Sequence, residues 1–229
     1  MADHKLAISF IKKSEGGLSS NQNDLARKNS SPYKNPKTGH FYHTNKGVQW
    51  QTFKSLANEL GYNANSPANF LTMPDSIWLK IYKLKYWDPL NLDAYKSQGL
   101  ANIMVDWSFL SYWDDPLREG IKYVKSKGLF ADGKKTLAAA FNTLTAKNEK
   151  QTIVDMINIR YAFYKTLKQP ANEKGWFARL ENLKTDSIKL IGLVTPDQAK
   201  AGAFFFSNNN DRTSSIHQQN ENSTINQKE

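Results

Sequence analysis

The sequence predicts an all-α fold, because apolar residues recur at helical spacing along most of the chain and strand-like alternation is rare. Leu6, Ala7, Phe10 and Ile11 form the first apolar stripe, and the clearest stripe covers residues 149–168. The length of 229 residues is enough for one or two compact domains with a substantial core.

The first half is predicted to contain three helices. The first covers about residues 4–15, with Asp3 as N-cap and Gly16 and Gly17 as the stop. A long polar loop then runs to about residue 46. The second helix covers about residues 49–60, and a third opens after Thr72 as N-cap and ends near residues 86–89.

The second half is also predicted to be helical, with segments near residues 93–112, 116–127, 134–145, 149–168 and 174–193. Residues 207–229 are rich in Asn, Ser, Gln and charge and have almost no apolar side chains. Such a segment buries too little apolar surface to offset the entropy lost on ordering. We therefore predict a disordered tail that is dispensable for folding.

Composition restricts the partners and cofactors. There is no cysteine, and His40 and His43 lack a third ligand at suitable spacing, so we expect no metal and no other cofactor. The net charge of +10 favours an anionic partner such as an anionic glycan, a nucleic acid or a membrane surface. The lysines are dispersed and no nucleic-acid recognition motif occurs, so ordinary solvated surface charge is the alternative and we expect no nucleic-acid partner.

The sequence also predicts where the chain is made. No apolar run approaches the ~20 residues of a membrane span, so no membrane insertion is expected. The stretch from Leu6 to Ile11 is too short for the apolar core of a signal peptide. We expect synthesis in the cytoplasm, with any outward route supplied by a holin, by lysis or by a dedicated machine.

Glu15 is the strongest candidate for chemistry, because it falls in the last turn of the first predicted helix. The negative end of the helix dipole disfavours a carboxylate there, and partial burial would act in the same direction and raise its pKa. A general acid that works near neutral pH needs such a shift. The alternative is a solvated glutamate beside a flexible Gly-Gly turn.

Two further polar residues follow Glu15 at short intervals. Asp24 lies nine positions later, and Thr44 opens the string Thr-Asn-Lys-Gly-Val that leads into the second helix. A glutamate, an aspartate and a threonine in this order favour a small hydrolytic site. The alternatives are that Asp24 caps a turn of the loop and that Thr44 caps a helix.

These motifs resemble glycoside hydrolase family 108, a family of phage-type and secretion-associated N-acetylmuramidases. Its pattern reads E-G-G, six residues, D-x-G-G-x-T-x-x-G-[IV]-T. Glu15 to Gly17 match its start, Asp24 the aspartate, Thr44 the threonine and Gly47 the later glycine. The glycine pair after the aspartate is absent here, and a longer loop from Lys28 to His43 takes its place.

The resemblance extends over about residues 5–185. Asp106-Trp107 is similar to an element of the family's C-terminal region, and residues 175–179 are similar to its closing G-W-x-x-R signature. Residues 82–87 are similar to the segment that joins the family's catalytic part to its C-terminal region, and residues 132–136 to a shortened D-G-x-x-G-x-x-T turn. Residues 169–172 belong with the similarity to the closing signature. The resemblance implies a lysozyme-like helical fold with a catalytic region at 1–88. It also implies a helical predicted peptidoglycan-binding region at 89–195 that completes the fold.

The implied substrate is bacterial peptidoglycan, cleaved at the β-1,4 bond between N-acetylmuramic acid and N-acetylglucosamine. Glu15 would protonate the glycosidic oxygen, and Asp24 with Thr44 would position a water on the opposite face of the sugar. Five side chains are candidates to line the glycan groove: Tyr42, His43, Trp50, Tyr86 and Trp87. For Trp50 and Trp87 a place in the core is the alternative.

Two other functions compete with hydrolysis. The altered loop after Asp24 favours a non-catalytic structural or cell-wall-binding component of a phage tail or contractile injection particle, whereas an intact Glu15 disfavours it. A basic nucleic-acid binder is the third hypothesis. For a hydrolase, the implied delivery partner is a holin, a secretion system or a phage-tail-like machine.

Overall fold

The computed structural model describes residues 1–14, 16–57, 59–63, 66–112 and 114–192. These ranges contain eight α-helices and three very short strands, which confirms the predicted all-α class. The helices are α1 His4–Ser14, α2 Trp50–Ala57, α3 Pro67–Leu71, α4 Asp75–Tyr82, α5 Gln98–Leu110, α6 Asp115–Ser126, α7 Lys134–Thr166 and α8 Pro170–Lys189. The strands are β1 Leu18–Ser19, β2 Thr44–Asn45 and β3 Val48–Gln49.

The three strands form one antiparallel sheet in the order β1-β2-β3. Ser19 lies opposite Thr44, which in turn lies opposite Gln49. The β2–β3 turn consists of Lys46 and Gly47, both with positive φ (47° and 75°), as a two-residue hairpin turn requires. The sequence did not predict this sheet, because a two-residue strand is too short to show an alternating pattern.

The start of α4 differs from the prediction. Thr72 is the C-cap of α3, and its hydroxyl donates to the carbonyl of Ala68. Pro74 is the residue that precedes α4, so the prediction of Thr72 as N-cap is wrong. The five-residue α3 was not predicted, because one turn of helix carries too little periodicity to recognise. After α4 the chain continues through a π-helical turn, Lys83–Trp87.

The two helices predicted over residues 134–145 and 149–168 join into α7. Only Asn148 leaves the helical conformation within it, with φ −159° and ψ 91°. Its side-chain oxygen accepts a hydrogen bond from the backbone N–H of Gln151 at 3.0 Å, as an N-cap does. The predicted break is therefore present as a kink, and the second part of α7 begins at a cap of its own.

Helix α5 lies at the centre of the core, with every residue from Gly99 to Ser108 buried. It packs against α1, α6, α7 and α8. A Cβ at Gly99 would lie 2.5 Å from the carbonyl oxygen of Ser187, so this glycine permits the close approach of α5 and α8. Helix α1, which immediately precedes the first motif, is held in place by its contact with α5.

Among the helices that the structure describes, none is both long and apolar enough to cross a membrane. The segment predicted as a disordered tail, residues 207–229, lies outside the described residues. The predicted boundary near residue 88 stays a prediction.

Candidate active site

The first motif begins where α1 ends. The backbone N–H of Lys5 donates to Asp3 Oδ1 at 2.8 Å, which confirms the predicted cap at the start of α1. Phe10 and Ile11 are buried, and the helix ends at Ser14. Glu15 follows directly but lies outside the described residues, so its assignment as general acid stays a prediction.

Asp24 uses its two carboxylate oxygens differently. Oδ1 accepts a hydrogen bond from the backbone N–H of Ala26 at 2.9 Å and caps the 3₁₀ turn Leu25–Asn29. Oδ2 lies 3.8 Å from Nδ1 of His43. The side chain is 43% exposed, so the carboxylate remains open to solvent. The capping alternative is therefore present in the structure, but it occupies only one oxygen of Asp24.

His43 connects the aspartate to the threonine. Its ring is fully buried, with Nε2 3.1 Å from the carbonyl oxygen of Asn21 and Nδ1 3.0 Å from Oγ1 of Thr44. A carbonyl oxygen can only accept, so Nε2 carries a proton. In the neutral ring Nδ1 then accepts the hydroxyl proton of Thr44. His43 was predicted as a glycan contact, and that role stays a prediction. Its buried ring lies behind Thr44, where it orients the hydroxyl.

Thr44 lies in β2, six residues before α2 begins, so the alternative that it caps a helix is wrong. Hydrogen bonds of two side chains anchor the hairpin that carries Thr44. The side-chain amide of Asn45, 2% exposed, donates to the carbonyl oxygens of Phe70 at 2.6 Å and Leu71 at 3.0 Å. Trp78 Nε1 donates to the carbonyl of Lys46 at 2.9 Å. These bonds tie the hairpin to α3 and α4 and hold Thr44 in place.

Two of the predicted glycan contacts lie close to this hairpin. The Tyr42 side chain is half-buried, and its backbone N–H donates to Tyr33 O at 2.9 Å. Trp50 is 5% exposed, and its ring packs against Tyr33, Phe53 and Phe70. Trp50 therefore lies in the core, as its alternative stated, whereas Tyr42 is only partly buried.

The other two predicted contacts lie in the π-helical turn after α4. Tyr86 is half-buried, with its ring centroid 4.8 Å from that of Phe109. Trp87 is fully buried, and its Nε1 donates to Asp93 Oδ1 at 2.7 Å. Trp87 thus also occupies the core position that was its alternative. Whether any of the five side chains binds substrate stays a prediction.

The second-half motifs meet inside the protein. Asp106 is fully buried and receives Arg160 Nη1 at Oδ2 and Arg179 Nη2 at Oδ1, both at 2.6 Å. Arg160 also donates to the hydroxyl of Tyr164 at 2.7 Å. The motif residues Asp106 and Arg179 therefore hold α5 against α8, while Arg160 adds α7.

Arg160 was missed by the sequence analysis, although a signal was present. It lies among the apolar stripe residues of its helix, three positions after Ile157. A charged residue on a core-facing stripe predicts a buried partner, because an unpaired buried charge is very costly. Near this network, burial and then the charge of Asp106 raise the pKa of Tyr82 well above its usual value. Tyr82 therefore stays protonated.

Within the described parts of the chain, no three His, Asp or Glu side chains are grouped to hold a metal ion. The arrangement that the structure does bring together is Asp24, His43 and Thr44: an exposed carboxylate beside a hydroxyl whose direction is set by a buried histidine. Such a pair can hold a water molecule and accept a proton from it.

Comparison with known proteins agrees with this fold. The family model described as Glycosyl hydrolase 108 matches residues 8–111, which include Glu15, Asp24 and Thr44. A solved structure titled "Structure of Brucella abortus SagA" has 20% sequence identity to this chain and a TM-score of 0.58. That match covers 81% of this chain and 93% of the other. A search of curated proteins gave no match.

The structural likeness, at this level of identity, shows a shared fold, and the predicted lysozyme-like helical fold is confirmed. The family match over residues 8–111 supports a glycoside hydrolase. The match ends at residue 111, so the similar segments at residues 132–136 and 169–179 lie beyond it. Over residues 8–111, the resemblance to glycosyl hydrolase family 108 that the sequence predicts is confirmed.

Proposed function

We propose that the protein is an N-acetylmuramidase that hydrolyses the β-1,4 bond between N-acetylmuramic acid and N-acetylglucosamine in peptidoglycan. The observation that carries this proposal is the arrangement of Asp24, His43 and Thr44 on and beside the hairpin that follows α1. A hydrolase needs an exposed carboxylate next to an oriented hydroxyl to activate water, whereas a binding module does not need this arrangement.

The spacing along the chain limits how far the proposed acid can lie from the hairpin. Glu15 precedes Leu18 by three residues, which can span at most about 11 Å. Leu18 lies opposite Asn45, the residue next to Thr44. Carboxyl groups that act on the two faces of one sugar are separated by roughly 6.5–9.5 Å in inverting glycosidases. The strand pairing therefore supports a place for Glu15 close to Thr44, and the pairing of Glu15 with Asp24 is part of the proposal.

In the proposed reaction Glu15 donates its proton to the glycosidic oxygen as the bond to the anomeric carbon breaks. A water held by Asp24 and Thr44 attacks that carbon from the opposite face, and Asp24 accepts the proton of the water. Thr44 contributes orientation, because its hydroxyl proton is already directed to His43 Nδ1 and its oxygen remains free to accept from the water. Tyr42 and Tyr86 are the predicted glycan contacts that are only partly buried.

The proposed site of action follows from the substrate. Peptidoglycan lies in the periplasm and cell wall, so the protein would act there, or extracellularly after export, particle delivery or lysis. A holin, a secretion system or a phage-tail-like machine would be the partner that provides this route.

The experiment is digestion of purified peptidoglycan by the full chain, with mass analysis of the released ends. Reducing N-acetylmuramic acid ends are expected. Glu15→Gln keeps the size of the side chain and removes the acid proton, so turnover should fall by about 10²–10⁴-fold. Asp24→Asn should also reduce turnover, with an unchanged thermal midpoint. Near wild-type turnover by Glu15→Gln would falsify the mechanism.

A non-catalytic role in a phage tail or injection particle is the second candidate. It is favoured by the hydrogen bond that Asp24 Oδ1 accepts from the backbone N–H of Ala26, because this contact gives Asp24 a structural role. The same experiment separates the two functions. Binding to peptidoglycan without any released ends, in the wild-type chain as in Glu15→Gln, would support the structural role.

A further inference from the structure

The loop that departs from the family pattern builds a cleft next to the proposed active site. Its volume is about 350 Å³. The lining residues come from the loop and from the segment just before it: Gln22, Arg27, Ser30, Lys34, Gly39, His40 and Phe41. Arg27 and Lys34 are exposed cations, and none of the lining residues is acidic.

The segment around the cleft carries only positive charges. Residues 25–58 contain six Lys and Arg residues and no Asp or Glu. Among the described residues, neither Arg27 nor Lys34 forms an ion pair with a carboxylate, although the exposed Lys122 and Lys189 do so. Two unpaired cations at the walls of one cleft favour an anionic ligand, because like charges held together repel each other until an anion neutralises them.

One wall of the cleft is aromatic. Phe41 is 43% exposed, and the ammonium of Lys34 lies 5.1 Å from the centroid of its ring. An exposed ring beside cations suits a sugar that carries a negative group, because the ring packs on the apolar C–H face of the sugar while the cations bind the charge.

The loop is held in this shape by its own hydrogen bonds. Lys34 pairs with Phe41 in an isolated antiparallel bridge. The side-chain amide of Asn35 donates to Ser20 Oγ at 3.1 Å, and its backbone N–H donates to His40 O at 2.8 Å. These bonds fix the loop to the segment just after β1, so the cleft is a formed feature of the surface.

The segments that line the cleft continue directly into the segments that carry Asp24 and Thr44. Arg27 lies three residues after Asp24, and its N–H donates to the carbonyl of Asp24 at 3.1 Å. On the other side Phe41 lies three residues before Thr44. A glycan whose scissile bond reached Asp24 and Thr44 would therefore extend a neighbouring unit toward the cleft.

We infer that this cleft is a subsite for an anionic substituent of the glycan, bound by Arg27 and Lys34 with the sugar face against Phe41. The inference rests on the proposed function and adds a specificity for acidic over neutral glycan. A carboxylate on the muramyl unit and a phosphodiester of an attached wall polymer share the required charge.

The test measures binding rather than hydrolysis, so that the subsite can succeed or fail independently of the proposed reaction. The full chain carrying Glu15→Gln is titrated with soluble, peptide-free glycan strands at low and at physiological salt. Adding Arg27→Gln and Lys34→Gln should weaken binding about tenfold. The matched control adds Lys37→Gln and Lys54→Gln, which remove the same charge from the same acid-free segment outside the cleft. It should change affinity less than about twofold.

Two treatments of the ligand identify the anion. If converting the glycan carboxyls to amides abolishes the difference between the cleft variant and the control, the bound group is a carboxylate. If removing phosphodiesters with hydrofluoric acid abolishes it, the bound group is a phosphate. Either result supports the inference. The inference is overturned if the two double variants bind equally, or if the cleft variant is equally impaired on uncharged chitin oligosaccharides.

Discussion

Asp106 on α5 and Arg160 on α7 form an ion pair in which both side chains are fully buried, with Oδ2 and Nη1 2.6 Å apart. Arg179 on α8 completes the network from the other oxygen. Three helices of the second half are therefore joined by one carboxylate. The similarity of Asp106 and Arg179 to family motifs is explained by packing, because the two side chains form an ion pair with each other inside the protein.

Arg160→Met should destabilise the protein by about 3–5 kcal/mol, because it leaves the buried charge of Asp106 with only one partner. Urea unfolding at pH 7 measures the change. The control is Lys122→Met, which breaks the exposed pair with Glu119 and should cost at most about 1 kcal/mol. Equal losses in the two variants would contradict the role assigned to the network.

Thr44→Val removes the hydroxyl that His43 orients and keeps the shape of the side chain. We expect kcat on peptidoglycan to fall about tenfold with little change in KM, because the lost group acts on the water and not on the glycan. Thr44→Ser should restore most of kcat, since it returns the hydroxyl. A Val variant with wild-type kcat would exclude the hydroxyl from the reaction.

Asn45→Ala removes the anchor between the hairpin and the end of α3. Leaving two carbonyls without their donor should cost about 1–3 kcal/mol, and turnover should fall further than stability alone explains. Asn142→Ala is the matched control, because its amide similarly donates to the carbonyl of Ala94 but lies on α7. It should lose comparable stability and keep its turnover at a temperature where both variants are folded.

Gly99→Ala should lower the thermal midpoint, because its Cβ would lie 2.5 Å from the backbone oxygen of Ser187 and would force α5 and α8 apart. Overpacking of this kind costs about 1–3 kcal/mol. In Gly175→Ala the new methyl group meets open space on α8, so alanine should be neutral or stabilise by up to about 1 kcal/mol. Calorimetry should show a lower thermal midpoint for Gly99→Ala and an equal or higher one for Gly175→Ala.

Asp155 should make stability depend on pH. Burial by itself raises the pKa of this carboxyl, but hydrogen bonds from Gln151, Tyr123 and Lys127 outweigh it and hold the pKa below its usual value. A carboxyl with a lower pKa in the folded state contributes stability above its unfolded pKa of about 3.9, and the contribution disappears as pH falls through the folded pKa.

Asp155→Asn should therefore be less stable than wild type at pH 7. The difference in the free energy of unfolding should shrink as the pH falls below about 4. Urea titrations at several pH values measure it. A difference that stays constant down to the acid limit of folding would show that Asp155 contributes through packing rather than through its charge.

The sequence by itself predicted most of the helices. Residues 98–110, 115–126 and 134–166 are helical close to where apolar periodicity placed them, and Asp3 caps α1 as expected. These features depend on residues three or four positions apart, so a linear pattern contains the necessary information. Errors occurred where the signal was short, as at the five-residue α3 and the cap assigned to Thr72.

The sequence also contained the order of Glu15, Asp24 and Thr44, which the family match over residues 8–111 includes. Only the tertiary structure decided how these segments meet. His43 sits between Asp24 and Thr44, and Asp106 selects Arg160 and Arg179, which lie 54 and 73 positions away. Such pairings depend on the packing of whole helices and strands. No local pattern specifies which of the many distant partners will satisfy a buried charge or direct a hydroxyl.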